Sequence, residues 1–252
     1  SFYCIIHLAA QTGVIPSIKN PVQDMKINLE GTLNLLEFAR KLKIRRFIFS
    51  SSMGVLGGSK IQSEDSILEP LNPYAAGKCS IENYLKVYKE LFGLETFILR
   101  FSNIYGPFFW MKDNVVSKFC KNLFLGKKIQ IRGDGNQTRD FLEASDLAKI
   151  IFKLICLPIN RKHNKLAGLP INIGTGNSTT INKLSQICLS EAIKYNLNPS
   201  VEYISKLNGD IKISKPELKK IKKLIYIKNF KKLKFGIKEL FNWWAQNKDY
   251  LY

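Results

Sequence analysis

Tyr74 and Lys78 stand four residues apart in Asn72-Pro73-Tyr74-Ala75-Ala76-Gly77-Lys78, a spacing that puts both on one helix face. A phenol ionises near pH 10 and an adjacent ammonium favours the phenolate, so Lys78 is expected to lower the Tyr74 pKa. Such a pair is a candidate general base. The spacing alone carries little: with 10 Tyr and 32 Lys in 252 residues, about one match arises by chance. An isolated pair of this kind is an ordinary surface contact. Its surroundings carry more. Ala9-Ala10 follows the apolar run YCIIHL, and small residues there let a flat ligand approach the backbone. Ser51-Ser52-Met53-Gly54 follows RFIFS and supplies hydroxyls. Phe101-Ser102-Asn103-Ile104-Tyr105-Gly106-Pro107 follows TFILR and is rich in turn residues.

These clusters need strands to hold them. Short apolar runs at Tyr3–Leu8, Arg46–Ser50, Thr96–Arg100, Lys128–Arg132 and Pro170–Ile173 predict strands. Amphipathic spacing predicts helices over Asp24–Leu42, Pro73–Phe92, Asp113–Leu125 (capped by Asp113 or Asn114), Ala144–Leu157 and Ser178–Tyr195, with a Lys-rich helical tail from Pro216. Alternating strands and helices predict an α/β fold with a parallel sheet covered on both faces. Such sheets bind ligands past the carboxyl ends of their strands, where the clusters fall.

The ordered series HLAA, FSSS, NPYAAGK and RFSNIYGP resembles the extended short-chain dehydrogenase/reductases acting on nucleotide sugars, the NAD-dependent epimerase/dehydratase family. The resemblance is nearest to its UDP-glucose and UDP-glucuronate 4-epimerase branch. Gly133-Asp134-Gly135-Asn136-Gln137-Thr138-Arg139-Asp140-Phe141 with Asp146, and Asn172-Ile173-Gly174-Thr175-Gly176, resemble two further segments of that family. The likeness runs from Tyr3 to about Ile173 and continues loosely to Trp244. It implies Tyr74 as catalytic base and Lys78 as the lysine that tunes it and holds the nicotinamide ribose. It further implies that Ser52 bonds the reacting sugar oxygen, that Leu8, Ala9 and Ala10 lie along NAD, and that Asn103, Asn114 and Arg139 contact the substrate diphosphate. The fold implied is a Rossmann-like doubly wound parallel sheet, with residues 1–100 and 144–176 binding NAD and 101–143 and 177–252 forming a smaller substrate lobe. The implied partners are a UDP-sugar and, in the intact protein, a second copy of the chain.

Departures sharpen this expectation. The 252 residues contain no GxxGxxG loop ahead of the first strand, so an incomplete sheet lacking its first βαβ unit, an N-terminally truncated chain and weak NAD binding are expected. Leu207 in Lys206-Leu207-Asn208-Gly209-Asp210 stands where the family has Arg, and Leu56 where it has Tyr. The family's 4,6-dehydratases carry an acid/base pair after the catalytic hydroxyl; Met53 and Gly54 stand there, so a dehydratase is not expected. The net charge is +19, from 39 Lys+Arg and 20 Asp+Glu. Only 7 of the cations are Arg, which argues against a dedicated reader of phosphate backbones. RNA binding through Phe108, Phe109, Trp110, Trp243 and Trp244 is retained as an alternative, as is an inactive remnant. Five scattered cysteines (Cys4, Cys79, Cys120, Cys156, Cys188) and two His, at positions 7 and 163, offer no zinc spacing and suit a reduced, cytoplasmic protein. No run approaches the roughly 18 apolar residues of a membrane span.

Overall fold

Strands β2 (Arg46–Ser52) and β3 (Glu95–Phe101) are almost wholly buried, and their sequences, RFIFSSS and ETFILRF, suit strands covered on both faces. The computed structural model describes residues 2–58, 62–108, 114–159, 165–206, 212–227 and 229–251. By contacts the chain forms two units. One is Ser1–Phe101 with Ile150–Ile173 and Pro216–Tyr226; the other is Ser102–Lys149 with Gly174–Lys215 and Ile227–Tyr252.

In the first unit, β1 (Cys4–His7), β2, β3 and β7 (Pro170–Ile173) form one parallel sheet in the order β1-β2-β3-β7, as expected for an α/β fold. Registers run Ile6↔Ile48, Ile48↔Phe97 and Leu99↔Ile171. Helix α4 (Pro73–Phe92) has Pro73 in its first turn and Asn72 as its cap, accepting from Ala75 N at 3.0 Å. It ends on Gly93 in the left-handed region. Its Ile81, Leu85 and Tyr88 pack with Leu36 and Ala39 of α3 (Gly31–Lys41) over Phe47, Phe49 and Ile98 of the sheet.

The second unit has three-stranded pairing among β4 (Asn103–Tyr105), β6 (Thr138–Glu143) and β8 (Ser178–Thr180), and a parallel pair of β5 (Ile129–Arg132) and β9 (Val201–Ile204). Helix α6 (Ala144–Ile155) follows β6 directly, and helices α5 (Val115–Phe124), α7 (Ile181–Ile193) and α9 (Leu233–Gln246) enclose an aromatic core containing Tyr105, Phe119, Phe241 and Trp244. A methyl group on Gly236 would run into the Tyr105 hydroxyl, so glycine lets α9 lie against that ring.

Several boundaries differ from expectation. The helix expected over Asp24–Leu42 starts earlier, as α2 (Pro21–Met25), and continues through a π turn (Lys26–Glu30) into α3. A short α1 (Val14–Lys19) precedes it, although Gly13 and Pro16 gave no helical signal. Ser178–Thr180 pairs with β6 as a strand, because Thr180 caps the helix that begins one residue later. The Lys-rich tail splits into α8 (Lys219–Leu224) and α9. Strands β4, β6, β8 and β9 carry no long apolar alternation and were not expected from it. Asp113, Phe109, Trp110, His163 and Leu207–Asp210 lie outside the described residues.

Two buried polar groups in the first unit generate predictions. Arg46, fully buried at the start of β2, donates to Glu95 at 2.5 Å and to the Leu154 and Ile155 carbonyls at 2.6 and 2.7 Å. Removing one partner of a buried pair leaves an uncompensated charge, so Glu95→Leu should cost about 3–5 kcal/mol in urea unfolding, and Arg46→Met in the same chain should recover part of it. His7 is buried at the end of β1, with Nε2 2.9 Å from Thr32 Oγ1. Thr32 Oγ1 donates to Asn28 O, so the imidazole Nε2–H is the donor between the two. Burial first, and the Lys78 charge second, lower the His7 pKa from 6.5 to about 4. Between those values the unfolded chain holds more protons, so this stabilisation is complete above pH 6.5 and is lost as pH falls toward 4. The gap corresponds to about 3 kcal/mol. A urea series across that window should show the loss, and His7→Gln should flatten it.

Candidate active site

The three serines at the end of β2 take different partners because side chains alternate along a strand. Ser51 points to one face and donates to Glu82 at 2.5 Å; Arg100 holds the same carboxylate through Nε at 3.0 Å and Nη2 at 2.7 Å. Ser50 and Ser52 point to the other. Ser50 Oγ donates to the His7 carbonyl at 3.1 Å, tying the end of β1 to β2. Ser52 Oγ accepts from Gly54 N at 3.1 Å, starting the 3-10 turn Met53–Leu56, and hydrogen-bonds Tyr74. Alternation thus gives Ser52 a role that Ser51 cannot share.

Lys78 lies one turn along α4 from Tyr74, with Nζ 5.7 Å from the Tyr74 ring centroid. Its ammonium is buried, donates to the Ser50 carbonyl at 2.8 Å and stands 4.5 Å from the centre of the Phe49 ring. The structure therefore brings Ser52, Tyr74 and Lys78 together at the carboxyl end of β2. One expectation fails in this state: the Tyr74 pKa is raised, not lowered. Burial is the main cause, the Ser52 hydrogen bond offsets part of it, and the negative charge of Asp24 adds to it.

Leu8, Ala9 and Ala10 extend past β1 with Leu8 and Ala9 exposed. The loop is fixed by Asn28, a residue the sequence reading missed. Its Oδ1 accepts from Gln11 N at 2.9 Å and its Nδ2 donates to Gln11 O at 3.1 Å. Gln11 Oε1 is buried without a hydrogen-bond partner. Exposed backbone, small side chains, an unfilled acceptor and a buried cation fit the hydroxyl-rich ribose and planar ring of a nicotinamide cofactor. An asparagine between Ile27 and Leu29, in a stretch that reads as helix, was the available signal for Asn28.

In the second unit, Asn103 and Arg139 lie on paired strands, with Asn103 opposite Phe141. Asn103 Nδ2 donates to the Asp140 carbonyl at 3.1 Å, and Arg139 Nη1 to the Thr138 carbonyl at 2.8 Å. Asn114 is instead the cap of α5, accepting from Ser117 N at 2.8 Å. Its Nδ2 is buried without a hydrogen-bond partner. Asp140 is fully buried and holds the GTG turn, accepting from Thr175 N at 2.9 Å and Thr175 Oγ1 at 2.9 Å; burial raises its pKa. Trp243 and Trp244 are buried in this unit's core, the first in edge contact with Phe108. Among the described residues no His/Cys/Asp/Glu group could hold a metal ion, and no helix is long and apolar enough to cross a membrane.

Residues 1–174 match the NAD dependent epimerase/dehydratase family. A putative UDP-glucose 4-epimerase of Methanocaldococcus jannaschii is 37% identical over 250 residues, covering 96% of this chain and 77% of that protein. The crystal structure of UDP-glucose 4-epimerase with UDP-glucose from Thermotoga maritima superposes with a TM-score of 0.87 at 29% identity, over 98% of this chain and 78% of that one. That of UDP-glucuronic acid 4-epimerase from Bacillus cereus, in complex with UDP-glucuronic acid and NAD, gives 0.85 at 27% identity, over 97% and 76%. With a parallel sheet, a Ser-Tyr-Lys cluster at its carboxyl end and these likenesses over nearly its whole length, the chain belongs to the NAD-dependent epimerase/dehydratase family.

Proposed function

We propose that this chain is a UDP-sugar 4-epimerase that uses NAD. The observation that carries the reading is the packing of Ser52 and Lys78 around Tyr74, with Met53 and Gly54 following. Neither a thioether nor a bare backbone position can exchange protons, so this segment offers no partner for eliminating water from a sugar. Tyr74 Oη takes the proton of the sugar C4 hydroxyl, steered by the Ser52 hydroxyl. NAD, when bound, accepts the C4 hydride and returns it to the opposite face of the 4-keto sugar. Leu8, Ala9, Ala10 and Lys78 hold the cofactor; Asn103, Asn114 and Arg139 hold the substrate diphosphate. Burial keeps the phenol protonated in the free chain. The positive charge of bound oxidised NAD would favour the phenolate when the base is needed.

The reading includes a cytoplasmic location, supported by five free cysteines, three of them buried. It also includes a homodimer. Helices α1, α2 and α4 pack together, yet expose Ile18, Val22, Tyr84, Val87 and Leu91, with Val22 59% and Leu91 70% exposed. The last three recur at the i, i+3, i+7 spacing of one helix face. Exposed apolar residues on helices packed together in this way mark an interface, and a second copy covers them by two-fold symmetry.

The direct test follows conversion of UDP-glucose and of UDP-glucuronate to their C4 epimers with NAD present. Tyr74→Phe should lower kcat by about 10²–10⁴ with little change in KM, and Ser52→Ala should lower it less. Wild-type turnover by Tyr74→Phe overturns the mechanism. For the assembly, sedimentation should give a dimer that Val87→Glu with Leu91→Glu converts to a folded monomer.

A further inference from the structure

Residues 14–30 are turned inside out relative to an ordinary surface helix. Their buried side chains are polar (Ser17, Asp24 and Asn28), while Val14, Ile15, Ile18, Val22, Met25 and Ile27 face outward. Asn28 is accounted for by the Gln11 loop. Asp24 is not. It is 2% exposed, and Asn28 Nδ2 donates to its Oδ1 at 3.1 Å. Its Oδ2 lies toward α4, 3.8 Å from where a Cβ on Gly77 would stand. Gly77 directly precedes Lys78 and follows Tyr74 by three residues, so the carboxylate is aimed at the backbone between the two catalytic side chains.

We propose that Asp24 is a positioning residue for the Tyr74–Lys78 pair: its buried negative charge balances the Lys78 ammonium and holds Tyr74 in its phenol form until substrate and cofactor arrive. This rests on the reading of Tyr74 as the base. The charges act on one another as the placement requires. Burial raises the Asp24 pKa, the Asn28 hydrogen bond and then the Lys78 charge offset part of that rise, and Asp24 in turn raises the pKa of Tyr74. Other ionisable groups on the elements packed against Asp24 do not compete. Lys19 of α1 and Lys26 and Glu30 of the π turn are exposed, and Glu82 of α4 is held by Arg100 and Ser51. His7, beyond Thr32, is neutral above about pH 4. A purely structural acceptor for Asn28 would not need a charge, since Asn at position 24 would serve as well.

The test reads Tyr74 without needing turnover. Tyrosinate absorbance of the 252-residue chain at about pH 10, minus that of the chain carrying Tyr74→Phe, isolates Tyr74 from the other tyrosines. In an Asp24→Asn background the tyrosinate-to-phenol ratio should rise about threefold or more, whereas Asp24→Glu should leave it near wild type. In the epimerase assay the acidic limb of kcat should move to lower pH in Asp24→Asn, with KM little changed. If Asp24→Asn fails to fold by circular dichroism, Asp24→Ser, which keeps an acceptor for Asn28, is measured in its place. An unchanged or lowered ratio in the folded variant overturns the proposal. Full turnover by Tyr74→Phe overturns the base assignment instead, so the two failures are separable.

Discussion

A lysine ammonium buried against a sheet is expensive unless something compensates it, and the first unit is arranged around that requirement. Lys78 is satisfied by the Ser50 carbonyl, the face of Phe49 and the field of Asp24. The carbonyl is available because Ser50 falls at the end of β2, where ladder bonding to β1 stops after Phe49. The ring is in place because strand alternation puts Phe49 one residue earlier. Asp24 reaches the site only because the chain from Pro21 to Lys41 is nearly continuous helix, with the π turn between α2 and α3. A π turn shifts the register of a helix and is frequent at functional sites. Here it lies between Asp24 and Thr32, the residues that approach Lys78 and His7.

The same site explains what the sequence made legible. Pro73–Phe92 and Pro170–Ile173 match the expected ranges because their signals are local: Asn72-Pro73 starts the helix, Gly93 stops it, and the short run Pro-Ile-Asn-Ile forms a largely buried strand. Tyr74 and Lys78 stand out in the sequence by type and spacing, and Ser52 through the resemblance of the FSSS run to the family. Asp24 and Asn28 do not, because their importance comes from which way a helix is turned. With Val22, Met25 and Ile27 beside them, apolar periodicity points that helix the wrong way round. Strand β6 was read as turn and motif, since TRDFLE alternates weakly and is buried through polar partners as well as apolar packing. The sign of the Tyr74 shift was missed for a related reason. Spacing reports the lysine, but not the burial or the second, opposite charge.

Motif residues in the second unit divide by what their polar atoms already do. Asp140 spends its carboxylate on the Thr175 turn, and Asn103 spends an amide hydrogen on β6, so both shape the backbone around them. Asn114 spends only its oxygen, on the α5 cap, and keeps a buried, unpaired Nδ2. Leaving a buried donor unpaired costs about 1–3 kcal/mol, a cost that an anionic oxygen of a bound ligand would remove. Gln11 Oε1 presents the complementary case in the first unit, an acceptor without a donor. An unfilled donor among the residues matched to diphosphate contacts and an unfilled acceptor beside the strand matched to the cofactor agree with the chemistry of those two ligands. Matching by motif alone would have weighted Asn103 and Asn114 equally. The hydrogen bonds separate them, since Asn103 Nδ2 already makes one and the buried Asn114 Nδ2 makes none.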